Sequence, residues 1–144
     1  MKADSPGDRK VIDVAAGLVF HAGKLLITQR YFHGDLGGLW EFPGGKLEQG
    51  ESFEECLKRE LMEELGIKVR VVAQLEEITH SYPEKTVRLK FFQCTLEHGE
   101  AEPHQCQALA WISREQLIGF QFPAADARLL RLLEDSPGLW HEQI

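Results

Sequence analysis

The clearest periodicity in the chain belongs to Leu57, Leu61 and Leu65, apolar positions four residues apart. A helix turns every 3.6 residues, so these three form one stripe. Glu60, Glu63 and Glu64 fall on a neighbouring stripe of the same helix. Ser52 followed by Glu55 is a capping-box pattern at its start. Gly66 stands where helices end in a left-handed residue. The pattern predicts a helix over about 53–65.

Strand-like runs surround it. Val11 to Phe20 is rich in Val, Ala, Leu and Phe, the turn His21-Ala22-Gly23-Lys24 follows, and Leu25 to Arg30 reads as a second strand. Tyr31 to Gly38 holds three glycines and reads as a loop, and Leu39 to Phe42 as a short strand ahead of Pro43. Lys68 to Glu77 and Val87 to Leu96 alternate enough to be strands, joined by a turn at Tyr82 to Lys85. A polar loop from Glu97 to Gln107 leads to a last strand, Ala108 to Ile112. Ser113 with Gln116 repeats the capping-box spacing and opens a short helix near Glu115 to Ile118. A final helix over about 125–133 presents Leu129, Leu130, Leu132 and Leu133 to the core. This order predicts an α+β fold, a mixed sheet between helices.

Length changes the picture only by bounding it. The 144 residues suit one domain, placed at 11–134, with a mobile N-terminal tail over 1–10 and a C-terminal tail over 135–144. The net charge of −7 argues against a protein that tracks a nucleic-acid backbone, which requires a basic surface. Cys56, Cys94 and Cys106 form no CXXC pair and cannot all pair within the chain. No run of apolar residues approaches a membrane span, and the first ten residues do not resemble a signal peptide. A cytoplasmic protein with no membrane partner is the expectation; the oligomeric state is left open.

The acidic stripe carries the candidate chemistry. Like charges at i,i+4 cost a few tenths of a kcal/mol each, so the helix gains nothing from them alone. A divalent cation converts that repulsion into binding, and Mg²⁺ prefers a few carboxylates together with water and substrate phosphates. A solvated acidic face is the plain alternative. Against it stand the glycine-rich lead-in, Pro43 to Gly45, and Glu51, spaced to pair with Arg59 and brace that loop.

The stretch from Gly45 to Ile67 matches the Nudix box, G-X5-E-X7-R-E-U-X-E-E-X-G-U, at all fixed positions: Gly45, Glu51, Arg59, Glu60, Leu61, Glu63, Glu64, Gly66 and Ile67. The chain resembles that family over about 11–134, and is most similar to its MutT-type nucleoside triphosphate pyrophosphohydrolases, the branch acting on 8-oxo-dGTP or CTP. The resemblance implies an α/β/α sandwich with a mixed central sheet. It also implies Mg²⁺-dependent hydrolysis, with Mn²⁺ as an alternative ion, of nucleoside triphosphates to monophosphate and pyrophosphate. By position in the motif, Glu60, Glu63 and Glu64 with the Gly44 carbonyl are the implied metal ligands. Glu60 is the implied orienter of water, and Arg59, Glu51, Gly45 and Gly66 support the site. Arg30, Phe42, Lys85 and Asp126 match substrate-contacting positions, although Asp126 also suits a helix cap.

One departure matters: Gln105 stands where MutT carries a loop glutamate, with Glu102 close by as a substitute. Two other readings stay open. One is hydrolysis of a sugar nucleotide or dinucleotide. The other is a non-catalytic DNA-reading module, like the C-terminal domain of adenine glycosylases, which usually lacks an intact box.

Overall fold

The computed structural model describes residues 10–141. The expected N-terminal tail therefore lies outside the described residues, except for Lys10, which begins the first strand. Seven strands and two helices follow in order. They are β1 Lys10–His21, β2 Lys24–Gln29, β3 Trp40–Glu41, β4 Gly44–Lys46, α1 Phe53–Leu65, β5 Lys68–Ser81, β6 Lys85–His98, β7 Ala108–Ile112 and α2 Ala127–Asp135. Short 3-10 turns at Arg114–Gly119, Ala124–Asp126 and Pro137–Trp140 flank α2.

All seven strands belong to one mixed sheet. β1 runs parallel to β6, and the other pairings are antiparallel. Alternation along β1 divides the core. Ala15 and Val19 face α1 with Leu57, Leu61 and Leu65. Ala16, Leu18 and Phe20 face α2 with Leu129 and Leu133. A sheet buried on both faces between helices is the sandwich expected.

The feature that builds the site is a wedge. β2 pairs with β1 only at Phe20 and His21, and then the two strands part. β4 takes over the same edge of β1 at Val14 to Ala16, and β3 lines β2 at Thr28 and Gln29. The Gly17 N–H donates to the Pro43 carbonyl at 2.8 Å inside the gap. Gly44 is required there, because a Cβ would collide with the Ala15 carbonyl and Ala16 Cα.

Two expectations are corrected. The β5–β6 hairpin is longer than the alternation suggested, paired from Lys68–His98 out to Ser81–Thr86. Ladder hydrogen bonds carry it past the segment with a clear apolar face. The C-terminal tail is in part core: Trp140 is 2% exposed, its indole N–H donates to the Leu133 carbonyl at 3.0 Å, and its ring meets Phe20 edge-on. A lone tryptophan seven residues past the last leucine of a helix stripe has no periodicity to announce it.

Candidate active site

α1 forms as its sequence dictates. Ser52 Oγ accepts from the Glu55 N–H at 3.0 Å, and the Glu55 carboxylate accepts from the Ser52 N–H at 2.9 Å. Gly66 ends the helix in the left-handed region at φ 71°. The loop before β7 then closes its last turn: Glu102 N–H donates to the Leu65 carbonyl and His104 N–H to the Glu64 carbonyl, each at 3.0 Å. That stitching brings Gln105 and Cys106 to the site.

Arg59 is the hub of the acidic face. Its Nε–H donates to Glu51 at 2.7 Å and its NH2 to the same carboxylate at 3.0 Å. NH1 serves Glu60 at 3.0 Å and Glu63 at 3.3 Å, and NH2 also reaches the Lys46 carbonyl at 3.2 Å. The Arg59 bonds and the Glu48 N–H hold the Glu51 carboxyl down at about 2. Glu51 therefore braces loop to helix as its spacing suggested. The Glu60 carboxylate lies against Gly45, where a Cβ would run into it. Gly45 thus leaves room for an acid rather than only shaping a turn.

Glu64 is turned inward. Its Oε2 is buried with no hydrogen-bond partner. Burial, then Glu60 beside it, then Glu41 and Glu63 push its carboxyl up to about 9. Among the described residues no three His, Cys, Asp or Glu side chains converge closely enough to hold an ion as they stand, and Arg59 engages Glu60 and Glu63. The donor set still fits a hard divalent cation: an orphaned buried carboxylate oxygen with three further carboxylates around it is an oxygen-rich, over-charged nest.

Beside this face opens a cavity of about 420 Å³. Val14, Leu89 and Phe91 line it from the sheet, Phe42, Gly44 and Gly45 from the wedge, and Pro123, Ala125 and Asp126 from the turn before α2. Phe42 stacks on Phe122 at 5.1 Å. Asp126 occupies the N-cap position of α2 but makes no side-chain cap bond, so the capping alternative does not account for it. It is 8% exposed, and burial, then Glu41, push its carboxyl up to about 6.

A second, smaller cavity of about 210 Å³ adjoins, lined by Arg30, Tyr31, His33, Asp35, Glu41 and Gln105 among others. Arg30 faces both cavities; its NH1 donates to Glu41 at 3.0 Å and its Nε–H to the Asp35 carbonyl at 2.9 Å. Glu41 escaped the sequence reading. The signal was present: in Trp40-Glu41-Phe42 the two aromatics pack toward α2, which sends the residue between them to the α1 side. Gln105 lines this cavity and Glu102 does not; the Glu102 side chain is 69% exposed and lies 3.3 Å from His104. Lys85 is not among the cavity-lining residues; its ammonium lies over the Tyr82 ring at 5.4 Å. The cysteine thiols are free and buried, with Cys56 pushed up to about 11 and Cys94 to about 12 by desolvation, which suits structural and not reactive roles.

The pH dependence of Asp126 is testable. Its folded pKa lies above the ordinary carboxylate value of 3.8. The native state therefore holds the proton more tightly, and stability falls as pH rises from about 4 to about 6. The loss is at most ~3 kcal/mol and is complete above that window. Asp126→Asn is expected to melt roughly 5 °C above the parent at pH 8 and to match it near pH 4. Parallel melting curves that keep one separation across this range would contradict the assignment.

A model of the NUDIX domain matches residues 15–132. The CTP pyrophosphohydrolase of Escherichia coli is 37% identical over 121 residues, covering 84% of this chain and 90% of that protein. An 8-oxo-dGTP diphosphatase of Haemophilus influenzae is 37% identical over 131 residues, covering 90% of this chain and 96% of its own. The solution structure of the Escherichia coli ORF135 protein superposes with a TM-score of 0.79 at 34% identity, covering 92% of this chain and 95% of the other.

Proposed function

The chain belongs to the Nudix family, and on that premise we propose that it hydrolyses nucleoside triphosphates to a monophosphate and pyrophosphate with Mg²⁺ or Mn²⁺. The observation that supports this reading most directly is the junction of two surfaces. A nucleoside-sized, mostly apolar cavity that holds the buried Asp126 is also lined by Arg30, Glu41 and Gly45, and the Glu60 carboxylate of the acidic helix face lies against that glycine.

In this reading Glu60, Glu63 and Glu64, with the Gly44 carbonyl, hold the cation. When bound, it supplies the charge that neutralises the phosphates and makes water more acidic. The protein's own part is positioning. Arg59, braced by Glu51, orients Glu60 and Glu63. Glu60 lies beside the wedge backbone, placed to orient or accept a proton from the attacking water. Arg30 turns from Glu41 toward the phosphates, and Phe42, its ring backed by Phe122, offers an aromatic wall to the base. Phosphoryl transfer asks for little covalent work beyond this.

Asp126 carries the base preference. Ionised, a carboxylate only accepts hydrogen bonds; protonated, it also donates. Cytosine offers an exocyclic amino group, and oxidised guanine gains an N–H in its five-membered ring. Cytidine triphosphates and 8-oxo-dGTP are thus the leading substrates, handled as free nucleotides in the cytoplasm. Asp126→Asn is expected to change the ratio of specificity constants for dCTP and 8-oxo-dGTP about tenfold, the scale of one hydrogen bond.

A panel of nucleoside triphosphates, sugar nucleotides and dinucleotides, scored for pyrophosphate release, tests the whole reading. Preferential turnover of a sugar nucleotide or dinucleotide without pyrophosphate would replace it. No turnover of any member would favour a binding module.

A further inference from the structure

The proposed nucleoside cavity has one wall built into the sheet and one wall hung beside it. Val14 of β1 and Leu89 and Phe91 of β6 belong to strands paired over most of their length. The opposite wall, Pro123 to Asp126, is Pro123 and the single 3-10 turn Ala124–Asp126 that it opens, between irregular chain and α2. Its inner side is steadied by Phe122 against Phe42. Its outer side is tied by Arg128, two residues beyond Asp126.

Arg128 reaches 52 positions back along the chain to β5. Its Nε–H donates to Glu76 Oε2 at 2.9 Å, and NH2 donates to Glu76 Oε1 at 3.0 Å and to the Glu77 carbonyl at 3.2 Å. Glu76 stands opposite Phe91 in the β5–β6 register, so the fork lands beside the cavity floor. The carboxylate is held ready, because the Glu77 N–H donates to its Oε1 at 2.9 Å. A register shift between Gln74 and Glu76 marks the same point of β5, and Leu75 packs against the core on the α2 side.

This geometry is more than a surface ion pair needs. The Arg128 side chain is 68% exposed, so the pair contributes little to global stability. A two-pronged guanidinium–carboxylate contact does, however, fix direction as well as distance. It fixes them where they count, since hydrogen-bond discrimination demands placement within ~0.5 Å.

We propose that the Arg128–Glu76 fork is a positioning clamp. It sets the gap between Asp126 and the sheet floor, and so tunes base preference without touching the substrate. The inference rests on the cavity being the nucleoside site.

Arg128→Gln, Glu76→Gln and the double variant test it, with kcat and KM measured for dCTP and 8-oxo-dGTP alongside melting temperature and Mn²⁺ activation. Each single variant is expected to raise KM for the preferred nucleotide about fivefold, with kcat within about twofold of the parent, which corresponds to roughly 1 kcal/mol of binding. The preference between the two nucleotides should shrink, while half-maximal Mn²⁺ and melting stay put. The double variant should be no worse than either single, because both remove one contact. Unchanged KM and preference in both singles would overturn the clamp and leave the activity standing. Parallel losses of kcat and melting temperature, or fully additive effects, would also overturn it by making the pair a structural strut. A parent that hydrolyses neither nucleotide would overturn the reading of the cavity, and the clamp with it.

Discussion

Glu64→Gln is expected to lower kcat/KM by at least about a hundredfold while the protein stays folded, and Glu63→Gln to do the same. Electrostatic groups aimed at developing charge are worth about 10²- to 10³-fold each. The two residues reach that loss from different positions. Glu63 is half exposed and engaged by Arg59 at 3.3 Å, whereas Glu64 presents a buried oxygen without any partner. A buried acid among Glu60, Glu41 and Glu63 is held protonated, and ionising it opposes folding unless a cation joins it. Glutamine keeps the shape and cannot ionise to receive a cation. The metal-free Glu64→Gln protein should therefore melt at or slightly above the parent, while its turnover collapses at all Mg²⁺ concentrations. Melting with and without chelator, together with rates over an Mg²⁺ series, checks both halves. Full activity with an ordinary metal requirement in either variant would remove the central claim.

Glu51→Ala should lose stability and rate together, with melting lowered by roughly 5 °C or more, whereas Glu60→Gln should lose mainly rate. Glu51 takes two bonds from Arg59 and one from the Glu48 N–H, and its side chain is only 13% exposed. Without it, Arg59 stands half-buried with its strongest partner gone and is pulled further toward Glu60 and Glu63. The loop from Gly44 to Gly50 then loses its brace. Glu60 differs because its carboxylate fills the space over Gly45, which glutamine also fills. The acid response sharpens the distinction. The Glu51 carboxyl is held at about 2, below its ordinary 4.5. The stability it contributes is complete above pH ~4.5 and is lost as pH falls toward ~2. The gap between parent and Glu51→Ala should narrow over that window. Equal melting losses in the two variants, or none in Glu51→Ala, would contradict this division of labour.

Much of the site was legible because its signals are local. The Ser52–Glu55 box, the four-residue leucine stripe, the left-handed Gly66 and the Glu51–Arg59 brace all join residues close in sequence. A helix places such residues by its own geometry, whatever surrounds it. The strands were legible as elements, and so was their sandwiching between helices. The Nudix box pointed to the chemistry because every fixed position lies within that one loop and helix.

The remainder depended on how strands meet. Nothing near Glu41 in the chain says that β1 and β2 part and admit β3 and β4, yet that wedge brings Glu41 beside Arg30 and toward Glu64. The same holds for Asp126, a helix-start residue by sequence and a cavity acid by tertiary placement. It holds for Trp140, which left the expected tail for the core, and for Lys85, which matched a substrate-contacting position and lies over Tyr82 outside the cavity lining. It holds most for Arg128 and Glu76. By itself the sequence determined an acid-faced helix and the loop braced against it, since both are set by periodicity and capping over a few residues. Only the tertiary structure decided which groups line the cavity beside that helix, because those distances are set by strand register and by side chains that meet across dozens of residues.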